Sequence, residues 1–175
     1  MDGYEAAVMA MIGFSAVCFA WADMQRTQLR YVQAMRRSIL WLRDTSCRER
    51  SDPIEHLMHI NLFDSKQARR LTGVLRATAQ RIGVGTTMQP MRAFSRECAR
   101  QIGNRAISRE DASTYEEALH ALFRYHGGER LRALDAVDQR LCARERCLMS
   151  EYTCKVQLIR ALGAAGGAAA FLWLI

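Results

Sequence analysis

The sequence predicts an all-α protein in which a charged helical bundle of about six helices lies between two hydrophobic helices. Two stretches without a charged residue, 6–22 and 161–175, bracket the chain, and all 25 lysine and arginine residues fall between Arg26 and Arg160. Between these stretches, apolar residues recur at the spacing of one helix face, and no segment alternates with the period of a strand.

The two hydrophobic stretches predict membrane spans. A bilayer core requires about 20 apolar residues, with a lower limit near 17. Residues 6–22 meet that limit, and the second stretch extends back to residue 156 because Arg160 can snorkel to the interface. We therefore expect transmembrane helices at 6–22 and 156–175. The alternatives are two buried core helices, a signal peptide cleaved after Ala20-Trp21-Ala22, or lipidation at Cys18, although the leading MDGYE segment is acidic rather than basic.

The distribution of charge predicts how the chain is oriented. Only Asp2 and Glu5 precede the first stretch, whereas basic residues flank both stretches on their inner sides. Because flanking basic residues stay in the cytoplasm, both termini are expected outside and residues 23–160 inside. This body holds 25 basic and 16 acidic residues, a formal charge of +9. The flanking basic residues are Arg26, Arg30, Arg36, Arg37, Lys155 and Arg160.

Four capping signals and three glycine stops divide the body into helices. In each signal a short polar residue caps the first amides and an acid or amide follows three residues later. The pairs are Asp52 with Glu55, Asp64 with Gln67, Thr86 with Gln89, and Ser108 with Asp111. The expected stops are Gly83-Val84-Gly85, Gly103-Asn104 and Gly127-Gly128.

The first and last helices are expected to join the body to the two spans. The first carries an apolar stripe of Met24, Tyr31, Met35, Ile39 and Leu42. The last is expected to run from about Glu129 to the C-terminus, continuous with its span, with leucines at 134, 141 and 148. This heptad stripe fits packing against the chain's own helices, and an intermolecular coiled coil, hence a homo-oligomer, is the alternative.

No arrangement of residues predicts catalysis, a metal site or a cofactor. His56, His59 and Cys47 offer three zinc ligands where four are needed. The segment Gly83-Val84-Gly85-Thr86-Thr87 lacks the Gly-Lys-Ser/Thr ending of a phosphate loop and follows a helix. The six cysteines form no C-x-x-C pair, so free thiols are expected. The sequence therefore predicts a protein that is not an enzyme.

The positive charge of the body is consistent with nucleic acid, anionic lipid or an acidic protein as partner. The arginines lie on every predicted helix and most have acids nearby, as in Arg144-Glu145-Arg146. This pattern favours a solvated surface close to an anionic leaflet of the bilayer and no nucleic acid partner.

Glycines in the second span indicate close helix packing in lipid. Gly163 and Gly167 form a G-x-x-x-G motif, reinforced by Gly166, and small residues let helix backbones approach closely. The partner is expected to be the first span near Gly13 or another membrane protein, and compositional bias of an alanine-rich tail is the alternative.

The whole layout resembles stage III sporulation protein AB. The residues that carry the resemblance are the charged helix from Leu131 to Arg160, the following Ala161-Leu162-Gly163-Ala164-Ala165-Gly166-Gly167 segment, and Gly85-Thr86-Thr87 before a helix. That family is similar to the inner-membrane platform protein of type II secretion and type IV pilus machines.

The resemblance implies a structural subunit of the channel that joins mother cell and forespore during endospore formation, without catalytic residues. It also implies contacts with a cytoplasmic ATPase and with other membrane subunits of the same complex. The alternatives are a platform or adaptor of another secretion-like machine, and a soluble or peripheral helical binding module.

Overall fold

The computed structural model describes the backbone of residues 3–48, 52–62, 64–85, 89–103 and 106–174. Within the two terminal helices, it describes side chains at residues 13, 16, 17 and 19–47 and up to Ile159. These ranges contain six helices and no strand, which confirms the all-α fold class. The helices are α1 (Gly3–Arg48), α2 (Pro53–His59), α3 (Lys66–Gly83), α4 (Pro90–Gln101), α5 (Arg109–Arg124) and α6 (Gly127–Leu174).

The chain divides into two compact units. The first comprises Met1–Arg26 with Cys147–Ile175, and the second comprises Thr27–Arg146. Helices α1 and α6 contribute residues to both units, whereas α2 to α5 belong to the second.

The second unit has an apolar core to which its helices contribute the predicted stripes. The residues at positions 31, 35, 39 and 42 of α1 are buried, as are the predicted leucines 134 and 141 of α6. In the middle of this core the rings of Phe94 and Tyr115 lie 5.1 Å apart between centroids. The Tyr115 hydroxyl is 2.6 Å from the Ser38 hydroxyl, which itself donates to the Met35 carbonyl at 2.6 Å. Met24 is the exception in the predicted α1 stripe, since it is exposed and lies in the first unit.

Two of the predicted helix caps are confirmed. Asp52 accepts a hydrogen bond from the Ile54 amide, with Pro53 at the first helical position. Ser108 accepts from the Asp111 amide at 3.0 Å and donates to the Asp111 carboxylate at 2.6 Å. Both caps are local interactions, and a side chain at the N-cap satisfies an amide that the helix leaves without a partner.

The predicted cap of α3 at Asp64 is wrong by one residue. Ser65 caps the helix and accepts from the Ala68 amide at 3.0 Å, while the Asp64 carboxylate pairs with Arg37 of α1. Asp64 and Ser65 are both good capping residues, so the local sequence does not decide which of them caps α3. In the structure Ser65 is the cap, and Asp64 pairs with α1 instead.

The predicted start of α4 is wrong as well. Gln89 has an extended backbone and is itself the N-cap, with no side-chain cap, and Pro90 opens the helix. The physical reason is that a proline disfavours the helical conformation in the residue before it. Thr86, the predicted cap, lies outside the described residues.

The glycine stops are partly confirmed. Gly85 and Gly103 follow α3 and α4 with φ of 72° and 87°, a left-handed conformation that glycine adopts without strain. Gly127 and Gly128, in contrast, do not end α5 but begin α6, because α5 already ends at Arg124 with Tyr125 as its cap.

Candidate functional site

The first unit exposes large apolar side chains. Six of the eleven exposed large hydrophobic residues among the described side chains belong to it, although the second unit contributes far more described residues. Phe19, for example, is 68% exposed. The six are Val17, Phe19, Trp21, Met24, Met149 and Leu158.

Within this unit, Trp21 of α1 and Lys155 of α6 form a contact that we call the interfacial pair. The Lys155 ammonium lies 4.5 Å from the Trp21 ring centroid and also bonds the Glu151 carboxylate at 3.1 Å. A cation over an indole face is attracted by the ring quadrupole. Tryptophan and a lysine whose stem lies along apolar surface are typical of the boundary between bilayer and water.

A groove between α1 and α6 accompanies the interfacial pair. It has a volume of about 540 Å³ and is mostly apolar, with one acid and one arginine in its lining. Its lining residues are Phe19, Ala22, Asp23, Arg26, Tyr152, Val156 and Ile159.

Among the described residues, no helix combines the length and the hydropathy that crossing a membrane requires.

The predicted flanking arginines are in different environments. Arg26 and Arg30 are exposed, whereas Arg36 and Arg37 form ion pairs within the second unit. Arg36 donates to Asp138 at 2.9 Å and to Glu145 at 3.1 Å, and these hydrogen bonds raise the pKa of Arg36 above its ordinary value. Arg36 thereby joins α1 to α6. The side chain of Arg160 lies outside those described.

The glycines predicted to pack in lipid stay a prediction. Gly13 is exposed, and a Cβ built there would meet no atom of the described residues within 4 Å. Gly163, Gly166 and Gly167 lie in α6, but their surroundings are outside the described side chains.

The positive charge of the chain is concentrated on two adjacent helices. Residues 66–101, which hold α3 and α4, carry eight basic residues and one acid, a net charge of +7. The remaining 17 basic residues balance 17 acids, so this hairpin accounts for the entire net charge of the chain. The expectation that most arginines have acids nearby therefore does not hold for α3 and α4. Counting charge for each predicted helix would have revealed this.

The single acid of this hairpin, Glu97, joins α4 to α3. Its side chain is 1% exposed and bonds Arg81 of α3 at 2.7 Å and Arg100 at 2.9 Å. The Gln101 amide donates to the same carboxylate at 2.9 Å. Burial alone would raise the pKa of Glu97, but the hydrogen bonds from Gln101 and Arg100 and the two guanidinium charges outweigh it and lower this pKa.

The three candidate zinc ligands, His56, His59 and Cys47, lie in different environments. His56 is buried, whereas His59 and Cys47 are exposed. Within the described ranges, no group of three or more histidine, cysteine, aspartate or glutamate side chains could hold a metal ion. The five described cysteines are free thiols, and burial, followed by the charges of Glu116 and Glu97, raises the pKa of Cys98 to about 12.

Comparisons with known proteins add no relative: no family model matches the chain, and neither the curated proteins nor the solved structures compared with it gave a match.

Proposed function

We propose that this chain is a non-catalytic structural subunit anchored in a membrane by helices at both of its ends. Residues 6–22 and 156–175 form the two spans, both termini lie outside, and the helical body occupies the cytoplasm. The observation that carries this proposal is the interfacial pair of Trp21 and Lys155.

The interfacial pair matters because of where its members lie along the sequence. Trp21 is one residue inside the end of the first predicted span, and Lys155 is one residue before the start of the second. The two boundaries are predicted from hydropathy and charge alone. In the structure, the Lys155 ammonium lies 4.5 Å from the Trp21 ring centroid. Two spans that cross one bilayer must have their cytoplasmic ends at the same level, and this contact supports that arrangement.

The exposed apolar side chains of the first unit support the same proposal. Keeping apolar surface in water costs about 25 cal/mol per Å², a cost that lipid removes. Val17, Phe19 and Leu158 are each more than 60% exposed. Tyr152 and Trp21 are suited to the headgroup layer, where amphipathic rings are enriched.

The resemblance to stage III sporulation protein AB makes the proposal more specific. The chain is then a platform-like subunit of the channel complex between mother cell and forespore. Its spans contact other membrane subunits, with Gly163 and Gly167 at the packing face, and its body contacts a cytoplasmic ATPase.

A topology experiment tests the anchoring. Reporter domains fused to either end should be active only outside the cytoplasm, whereas a reporter inserted in the turn at Gly85 should be active only inside it. Alkaline carbonate should leave the chain in the membrane fraction. Extraction by carbonate, or end reporters active in the cytoplasm, would refute membrane anchoring.

A genetic experiment tests the proposed complex. Deleting the gene in the source organism should abolish endospore formation, and the native chain should restore it. The double variant Gly163→Leu and Gly167→Leu should insert in the membrane but fail to restore spores, because the larger side chains keep helices apart. Normal spore yield after deletion would contradict the sporulation role and favour another secretion-like machine.

A further inference from the structure

Helices α3 and α4 present a basic surface, which consists of the exposed cations Lys66, Arg69, Arg70, Arg76, Arg92 and Arg96. On α3 the exposed cations share one face, because Lys66, Arg69, Arg70 and Arg76 follow the helical period. The opposite face, with Ala68, Leu71 and Leu75, is buried in the core. The two helices pack directly against each other, so the cations of α3 and α4 are carried by one helical hairpin.

Several cations elsewhere in the second unit pair with acids of other helices. Arg43 pairs with Asp135 at 3.0 Å and Arg144 with Asp111 at 3.3 Å, for example. In the part of the chain that the structure describes, no ion pair involves Lys66, Arg69, Arg70, Arg92 or Arg96.

The one acid of the hairpin does not offset these cations. Glu97 is buried and already bonds Arg81, Arg100 and Gln101. The hairpin therefore keeps a net positive charge that its own buried acid does not offset, which leaves this surface complementary to an external anion.

The surroundings of the cations decide which kind of anion fits. Phe94 is the one aromatic residue of α3 and α4, and it is buried, so the surface offers no ring on which bases could stack. The apolar faces of both helices are also buried, so neither helix can insert into lipid as interfacial helices do. Guanidinium groups, which dominate this surface, pair with carboxylates through two parallel hydrogen bonds.

We propose that the basic surface is the docking site for an acidic surface of a protein partner, with aspartate and glutamate side chains of the partner paired to Arg69, Arg70, Arg92 and Arg96. This inference does not depend on the membrane anchoring or on the sporulation role, since it rests on the second unit alone.

Charge reversal at the basic surface provides the first test. The variant Arg92→Glu with Arg96→Glu replaces two unpaired, exposed cations, so the fold should be unaffected. The matched control is Arg132→Glu with Arg146→Glu, which makes the same change in net charge at two exposed arginines of α6 that form no ion pair with any described residue. Both variants should show the same circular dichroism spectrum and thermal midpoint as the native chain.

The first binding assay uses the purified full chain in detergent micelles and a fluorescent helical peptide with a glutamate at every third or fourth position. Reversal of two arginines should weaken peptide binding by about tenfold or more, since each lost pair contributes up to about 1 kcal/mol and repulsion adds to the loss. The control variant should bind the peptide almost as the native chain does. Equal losses in both variants would show that net charge, not this surface, attracts the peptide, and would overturn the proposal.

Photocrosslinking in cells tests docking to a native partner. A benzophenone amino acid at Gln80 or Ala99, which are exposed on α3 and α4, should crosslink to one protein through a segment rich in aspartate and glutamate. The same probe at Gln139 of α6 should not crosslink to that protein. The crosslink should disappear in the Arg92→Glu and Arg96→Glu variant and return when the acids of that segment are changed to arginine.

The remaining outcomes separate the other classes of partner. Crosslinks to phospholipid, together with charge-sensitive binding to phosphatidylglycerol vesicles, would overturn the proposal in favour of an anionic membrane. Crosslinks to nucleic acid would overturn it in favour of RNA or DNA. Carbonate extraction of the same variants reports separately on membrane anchoring, so failure of one proposal is distinguishable from failure of the other.

Discussion

Replacing the buried carboxylate of Glu97 by an amide should destabilise the protein and change how its stability depends on pH. The substitution Glu97→Gln keeps the volume of the side chain but removes its charge. In the native chain that charge accepts hydrogen bonds from Arg100 at 2.9 and 3.0 Å and from Gln101 at 2.9 Å. It also pairs with Arg81 at 2.7 Å, and so it connects α4 to α3.

The size of the effect follows from these contacts. A hydrogen bond to a charged group contributes roughly 1.5–3 kcal/mol. Arg81 and Arg100 are 42% and 64% exposed, so after the substitution both guanidinium groups regain water and part of the loss is recovered. We therefore expect Glu97→Gln to lower the free energy of unfolding by about 2 kcal/mol at neutral pH.

The pH dependence has a definite sign. The pKa of Glu97 is lower in the folded chain than its ordinary value of 4.5. Its stabilising contribution is therefore complete above the ordinary pKa and is lost as the pH falls through the lowered pKa of the folded state. The glutamine variant cannot titrate at this position, so the difference in stability between variant and native chain should shrink as the pH falls from 4.5 through the lowered pKa of Glu97.

Urea unfolding of the full chain in detergent, followed by circular dichroism at neutral and acidic pH, measures both effects. The control is Glu117→Gln, which removes an ion pair with Arg140 in which both side chains are about half exposed. An exposed pair contributes about 0–1 kcal/mol, so the control should change little. A loss for Glu97→Gln no larger than for Glu117→Gln, or a difference that stays constant with pH, would refute the reasoning.

Three further predictions concern the second unit. Ser38→Ala should lower the free energy of unfolding by about 1–3 kcal/mol, because it leaves the buried Tyr115 hydroxyl without a partner. Tyr115→Phe should lower it by only about 1 kcal/mol, because Ser38 still donates to a backbone carbonyl. The reverse order in urea unfolding would contradict this prediction. Burial and two nearby acids raise the pKa of Cys98 to about 12. Cys98 should therefore react with iodoacetamide at least about 100-fold more slowly than exposed Cys47, as measured by peptide mapping with mass spectrometry. Comparable rates would be inconsistent with the burial of Cys98. Ser108→Ala should lower the free energy of unfolding by about 1 kcal/mol through loss of the α5 cap, and an unchanged thermal midpoint would show that the cap does not stabilise α5.

The caps show where prediction from sequence succeeds and where it fails. Ser108 could be identified because its partner amide lies three residues away, so the interaction is fully contained in the local sequence. The cap of α3 could not, because Asp64 and Ser65 are adjacent and chemically equivalent for this purpose. The Asp64 carboxylate pairs instead with Arg37, a residue of a different helix. For α4, the capping motif at Thr86 and Gln89 predicts an earlier start than Pro90, and the structure follows Pro90.

The two candidate surfaces are also only partly predictable from the sequence. The interfacial pair combines two residues that the sequence separates by most of the chain, so neither could be matched with the other in advance. The net charge of α3 and α4 can be counted from the sequence. The contact between the two helices and the burial of Glu97 are visible only in the structure.

The sequence by itself determined the helical class, the apolar stripes of the body and the placement of all basic residues between two uncharged ends. Helical period and capping depend on a few neighbouring residues, and the distribution of charge can be read directly from the sequence. Only the tertiary structure decided which charges neutralise one another, because ion pairs such as Arg36 with Asp138 form between helices that lie far apart in the chain. For the same reason, only the tertiary structure revealed the unpaired cations of α3 and α4 and the contact of Trp21 with Lys155.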